Sequence, residues 1–278
     1  MFASFLLSLR EGIESAIIIG IILGTLRKIE RRDLYPITWI GVACALLVSF
    51  IAAWGLNWIG AEFKGQGEQL FEGFSMLVAA GILTWMIFWM HKYSANLKNS
   101  IETNVMQAAI GQGRTTLFFV AFLVVVREGV ELAFFLLAVR LTSSPLQEFS
   151  GAALGIITSV ILGWIMFSST RTIRLKQFFK ITNVALIFIA AGLVGLGFHE
   201  LVESSWMPAI LDHIWNLEGV FPVASFTGQI LQSIAGYDSS PSLIQSIAYL
   251  VYLVILGWLL LFKPNNAQRE ESVKNNQS

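Results

Sequence analysis

Leu9-Arg10-Glu11-Gly12-Ile13-Glu14-Ser15 interrupts an otherwise uncharged run from Met1 to Leu26. A counterpart, Val126-Arg127-Glu128-Gly129-Val130-Glu131-Leu132, interrupts a second such run from Thr115 to Val139. Each puts three ionisable groups in the middle of a segment long and apolar enough to cross a bilayer. A charge at the bilayer centre costs roughly 2.5–3.5 kcal/mol on insertion scales and by default marks a functional site. The three charges of the first run cost roughly 8–10 kcal/mol, and its 13 Ile, Leu, Phe and Val residues return roughly 4–8 kcal/mol. A helix so balanced turns its charged face to other helices or to water. The second run has the same need.

On a helix, residues three or four apart share a face. Glu11 and Glu14 therefore point the same way, as do Glu128 and Glu131, and each motif arginine precedes its second glutamate by four positions. Gly12 and Gly129 remove a side chain inside each cluster and open room for another helix. Packed together, the motifs give four carboxylates and two guanidiniums. With every glutamate ionised, that is a net charge near −2. Such a site wants a multivalent cation, and hard oxygen donors without sulfur favour Mg, Ca, Mn or iron over copper(I). A purely structural alternative is a pair of salt-bridge clusters that lock helices together. Buried ion pairs are poor stabilisers, however, and two carboxylates would stay unpaired.

Outward from the motifs, the chain of 278 residues is 55% hydrophobic and 13% charged, where a soluble domain carries about a quarter charged residues. Seven spans are expected: Met1–Leu26, Ile37–Ile59, Glu68–Met90, Thr115–Val139, Phe149–Thr170, Ile181–Phe198 and Leu243–Phe262. Lys and Arg gather after spans one, three and five and in the tail, while the alternate loops hold only Lys64 and Arg140. The N-terminus is thus expected outside and the C-terminus inside. The motifs stand 117 positions apart. Their segments run in opposite directions, so residues 1–92 and 115–203 read as inverted three-helix repeats, with 199–242 an outer loop and 243–262 an added seventh helix. The expected fold is all-α and polytopic. The acidic outer loop carries Trp206, Ile210, Leu211, Ile214, Trp215 and Leu217 at helical spacing, which suggests a short interfacial helix. The polar residues 263–278 are expected to be a disordered cytoplasmic tail.

Other classes fall away. Cys44 is the only cysteine, so an internal disulfide, Cys-ligated zinc and a self-contained iron–sulfur site are excluded. No basic stretch invites nucleic acid. His199-Glu200-Leu201-Val202-Glu203 lacks the second histidine of a zinc protease motif. No Glu-x-x-His pair of a di-iron oxidase occurs, and no phosphate-binding loop is present. The chain is expected not to be an enzyme.

Two Arg-Glu-Gly-x-Glu motifs in spans one and four resemble the high-affinity iron permeases of the oxidase-dependent iron transporter family, most nearly the bacterial ferrous/ferric permeases. The likeness extends to Glu68-Gln69-Leu70-Phe71-Glu72-Gly73 and Leu83-Thr84-Trp85-Met86-Ile87-Phe88-Trp89-Met90, and to Gly236-Tyr237 and Pro241-Ser242 before the last span. The resemblance implies iron uptake across the cytoplasmic membrane, with Glu11, Glu14, Glu128 and Glu131 ligating iron in transit and Arg10 and Arg127 balancing and orienting them. It implies no permanently bound cofactor, iron being the cargo. It also implies partner proteins outside the membrane that oxidise or deliver iron: a haem peroxidase, a cupredoxin-like protein or a multicopper oxidase.

Secondary positions on the cation path are Glu68 and Glu72 at the outer end of span three, and His199, Glu200 and Glu203 at that of span six. The plainer reading of the first pair is acids complementing a helix dipole, and of the second group a solvated helix end. Rival functions are transport of another cation such as manganese or lead, an intramembrane metalloenzyme, and a structural adaptor. The adaptor would leave the central glutamates unexplained.

Overall fold

The computed structural model describes residues 1–93, 102–103, 105–107, 113–140, 144–168, 175–208, 214, 219, 222 and 225–262. Among them there is no strand. Six helices of 24 to 29 residues are α1 (Phe2–Lys28), α2 (Tyr35–Glu62), α3 (Gln66–Tyr93), α4 (Arg114–Arg140), α5 (Pro145–Ser168) and α6 (Leu175–Glu203). A 10-residue helix, α7 (Phe226–Ala235), precedes the 20-residue α8 (Leu243–Phe262). Helices α2, α3, α5, α6 and α8 are long and apolar enough to cross a membrane. At about 1.5 Å per residue, α1 and α4 are as long as their neighbours, and their central charges set them apart.

Local chemistry explains where the elements stop. Pro36 stands in the first turn of α2 and Pro145 opens α5, where a missing N–H costs nothing. Gly65, at φ +61°, makes the tight turn between α2 and α3 that a Cβ would oppose. Hydroxyls inside the apolar helices donate to backbone carbonyls one turn back, as Thr38 does to Leu34 and Ser49 to Ala45. These hydroxyls are thereby paired within their own helix.

Helices α1, α2 and α3 pair with α5, α4 and α6. Helix α1 lies along α5 in the same direction: Gly151 meets Met1, Gly155 meets Phe5 and Ser8, Gly12 meets Ser159, and Gly163 meets Ala16. Helix α2 lies along α4 in the same way, Gly41 against Phe118 and Ser49 against Gly129. Helix α3 runs antiparallel to α6, with Gly73 beside Leu201 and Leu77 beside Gly197. The main core joins Ala3 and Leu7 of α1, Met76, Leu83 and Met86 of α3, Phe135 of α4, and Leu186 and Ala190 of α6. Large apolar side chains cover the outside, among them Phe50, Trp54 and Trp58 of α2, Trp164 of α5, and Val254 and Trp258 of α8. A soluble protein seldom exposes such a surface, and hydrocarbon suits it.

Helix α7 is absent from the sequence-based expectation. Ser225 caps it by accepting the N–H of Gly228, and Gly236, in the left-handed conformation, ends it against Gly192 of α6. The interfacial helix expected over Trp206–Leu217 falls largely on 209–213 and 215–218, outside the described residues. Trp206 itself lies past the end of α6, edge-on to Phe74 at 5.6 Å. The tail 263–278, with its three basic residues, and Lys98, Arg171 and Arg174 are likewise outside the described residues.

Candidate metal centre

Helix α1 runs unbroken through its motif, which places Arg10, Glu11 and Glu14 inside the bundle. Arg10 is fully buried. Its Nη1 donates to Glu11 Oε1 at 2.9 Å, and its Nη2 forms an ion pair with Glu14 Oε1 at 2.8 Å. One guanidinium thus braces both glutamates, a geometry its planar fork permits. Nη1 also lies 2.8 Å from Met86 Sδ on α3. In α4 the pattern is looser. Arg127 Nε donates to Glu131 Oε1 at 2.8 Å, and its side chain is 34% exposed. The guanidinium carbon lies 4.5 Å from the ring centre of Trp89 and 5.5 Å from that of Trp85.

The motif glycines bring the helices this close. A Cβ on Gly12 would fall 2.7 Å from Ser159 Cβ, and one on Gly129 would fall 2.6 Å from Ser49 Cβ. Helix α5 therefore presses Ser159 into the α1 motif, and α2 presses Ser49 into the α4 motif.

Glu11, Glu128 and Glu131 converge. Each offers a carboxylate oxygen, all three within 4.8 Å of one another and all on buried residues. Glu11 Oε2, Glu128 Oε2 and Glu131 Oε2 are buried without a hydrogen-bond partner. Oxygens about 2.0–2.4 Å from one ion lie no more than about 4.8 Å apart, so a single hard cation can touch all three. Among the described residues this is the one such group of three donors. Glu14 stands beside it, held by Arg10 rather than within the trio.

A family model for the FTR1 iron permeases matches residues 1–270. The chain belongs to the FTR1 iron permease family. It is similar to the ferrous iron permease EfeU of Escherichia coli O157:H7, 33% identical over 257 residues that cover 91% of this chain and 93% of that protein. It is similar also to the EfeU of Yersinia pestis, 32% identical over 267 residues, 95% and 94% of the two chains. No solved structure matches. The family and these relatives are permeases rather than enzymes.

In this FTR1-family chain the secondary candidates form their own group, where the start of α3 meets the end of α6. Glu203 accepts from Gln69 Nε2 at 3.2 Å and pairs with His199 Nε2 at 3.2 Å. Glu200 lies close enough to Glu72, Glu203 and Glu68 to be repelled by each, and Glu72 is repelled by Glu68. They do not offer three donors at single-ion range. Sequence reasoning missed Met86, Trp85 and Trp89 as partners of the arginines, and Ser49 and Ser159 as partners of the glycines. The glycines carried the only signal for the serines. For the α3 residues the sole hint was the family likeness of residues 83–90.

Proposed function

We propose that this protein takes up iron across a bacterial cytoplasmic membrane as a seven-span permease, with its N-terminus outside and its C-terminus inside. Iron is the transported substrate and binds between Glu11, Glu128 and Glu131. Glu14, held on Arg10, is the adjacent fourth carboxylate, and Arg10 and Arg127 orient the ligands and balance their charge. The observation that carries the reading is the convergence of three buried carboxylates with unpartnered oxygens in a chain of this family. Helices α1 and α4, as long as the other spans and with their four motif glutamates buried, complete the seven. The matched pairings of α1 with α5 and of α2 with α4 are what two inverted halves would produce, and alternating exposure of a site between such halves moves the ion.

The relatives' names make ferrous iron the first substrate to test. The acidic group at the meeting of α3 and α6 is where we expect iron to arrive, supplied by an extracytoplasmic oxidising or delivering protein such as a haem peroxidase, a cupredoxin-like protein or a multicopper oxidase. The other reading in play is a carrier of manganese or lead, because oxygen donors alone do not distinguish such ions.

Radiolabelled iron uptake in iron-starved cells without other importers tests the proposal. Glu11→Gln and Glu131→Gln, at equal membrane levels, are each expected to lower uptake about tenfold or more, with excess manganese competing poorly in the wild type. Wild-type uptake by both variants would refute the carboxylate site. Full competition by manganese would favour the broader carrier.

A further inference from the structure

Hydroxyls on the long helices find partners in their own backbone. Thr38, Ser49, Thr84, Thr158 and Thr182 donate to the carbonyl four residues back, and Ser159 to the one three back. Ser4 and Ser8 of α1 do not. Both are 0% exposed, and neither Oγ has a hydrogen-bond partner. A hydroxyl buried in that way is costly. In a native fold it marks a place that water, an ion or another conformation completes.

Their position narrows the choice. Ser4, Ser8 and Glu11 are spaced four and three apart, so they stack on one face of α1. Ser8 lies about 5 Å and Ser4 about 10 Å nearer the N-terminal end than Glu11. Glu11 is one of the three converging carboxylates, and its Oε2 is as unpartnered as the two hydroxyls. Ser8 is seated against α5, since a Cβ on Gly155 would fall 2.8 Å from Ser8 Cβ.

On the other side of the cluster the same face changes character. Past Ser15 it carries Ile18, Ile22 and Leu26, which pack with Leu117 and Ala121 of α4, none more than 6% exposed. The residues 117 positions on from Ser4 and Ser8 are Ala121 and Val125, and Val125 packs with Val42 and Ala45 of α2. The two motif helices thus match at their charged residues and differ in the turns before them: hydroxyls on α1, aliphatic groups on α4. Parting the apolar side would bring hydrocarbon to water, whereas parting the side of Ser4 and Ser8 would give two stranded hydroxyls the partners they lack.

We propose that Ser4 and Ser8 are binding residues of the outward approach. Their hydroxyls hold the cation and its remaining water on the way to Glu11, while Ile18, Ile22, Leu117 and Ala121 close the cytoplasmic side in this conformation. The inference rests on the cluster being the iron site and on the proposed orientation. A hydroxyl is a hard, neutral oxygen donor that can stand in for one water of a cation, and its lack of charge lets the ion leave again.

Alanine at these positions removes an oxygen that bonds to nothing in the closed fold and keeps the Cβ that packs on Gly155. The double variant Ser4→Ala/Ser8→Ala is expected to melt at or above the wild-type temperature in detergent. Its uptake of radiolabelled iron is nonetheless expected to be about tenfold less efficient, as maximal rate over KM. Unchanged uptake would overturn the proposal, and a lower melting temperature would make the hydroxyls structural and overturn it as well.

Single cysteines in a Cys44→Ser background read the direction. Ser4→Cys and Ser8→Cys are expected to react with a small cationic methanethiosulfonate added to intact cells, and ferrous iron under ascorbate to slow Ser8→Cys about threefold or more. Ala121→Cys and Val125→Cys are expected to stay inert in inside-out vesicles. Inert Ser4→Cys and Ser8→Cys, no protection by iron, or ready reaction of Ala121→Cys and Val125→Cys would each refute the outward approach. Glu128→Gln keeps this apart from the parent reading. If that variant in nanodiscs binds ferrous iron like the wild type, the cluster is not the site. Lost binding there, with wild-type uptake by the serine double variant, refutes only the role of the hydroxyls.

Discussion

Arg10 shows how much one side chain carries in this protein. It is fully buried, and its two Nη atoms brace Glu11 and Glu14. Removing one partner of a buried ion pair typically costs about 3–5 kcal/mol, because the other charge is left uncompensated. Arg10→Ala is accordingly expected to be poorly folded in detergent. Arg10→Lys offers a point charge in place of a fork and is expected to retain folding better while losing uptake, as melting curves beside uptake assays would show. Gly129→Ala drives a methyl into Ser49, with overpacking costs of about 1–3 kcal/mol. Pairing it with Ser49→Gly is expected to recover part of the lost thermal stability, and no recovery would mean that the helices are held apart by something else. The spacing of the motifs made all four glutamates and both arginines legible in the sequence. Which three glutamates converge was not, since that depends on how α1 and α4 face one another.

Among the elements, α7 is the instructive case. The five long apolar helices α2, α3, α5, α6 and α8 overlie spans read from hydropathy and charge, because a long uncharged stretch has few alternatives in hydrocarbon. At ten residues, α7 is too short for that signal. Its punctuation was nonetheless present in the sequence, as Pro222 and Ser225 before it and Gly236 after. Ser225→Ala removes the cap and is expected to destabilise α7 by about 1 kcal/mol. Hydrogen exchange should then quicken over 226–235 while the cores of α3 and α6 stay protected. Gly192→Leu, which collides with the Gly236 backbone, is expected to unseat the whole turn, and unaltered exchange over 226–242 in that variant would contradict the packing described.

At the scale of the molecule, the proposed orientation puts the basic turn after α1 and the end of α6 on opposite sides of the membrane. The chain has one native cysteine, Cys44, so a Cys44→Ser background permits single-site labelling. A cysteine at Arg31 is expected to resist an impermeant thiol reagent in intact cells, and one at Ser205 to react. The reverse pattern would invert the topology and with it the direction of transport. The proposed orientation rests on the lysines and arginines alone, whereas the partnering of α1 with α5 and of α2 with α4 was not legible in the sequence, because one apolar face looks like another until glycines and serines interlock.

That interlocking has a consequence for biogenesis. Helix α1 finds its companion only when α5, more than a hundred residues later, has left the ribosome. Until then Arg10, Glu11 and Glu14 have no Ser159-bearing surface to close over them. The nascent chain must park a charged helix at the insertion machinery through most of its own synthesis. Assembly of this permease is therefore expected to depend on an insertase or chaperone that shelters polar transmembrane segments. A chain ending after α3 is expected to be degraded rather than to accumulate as half a transporter.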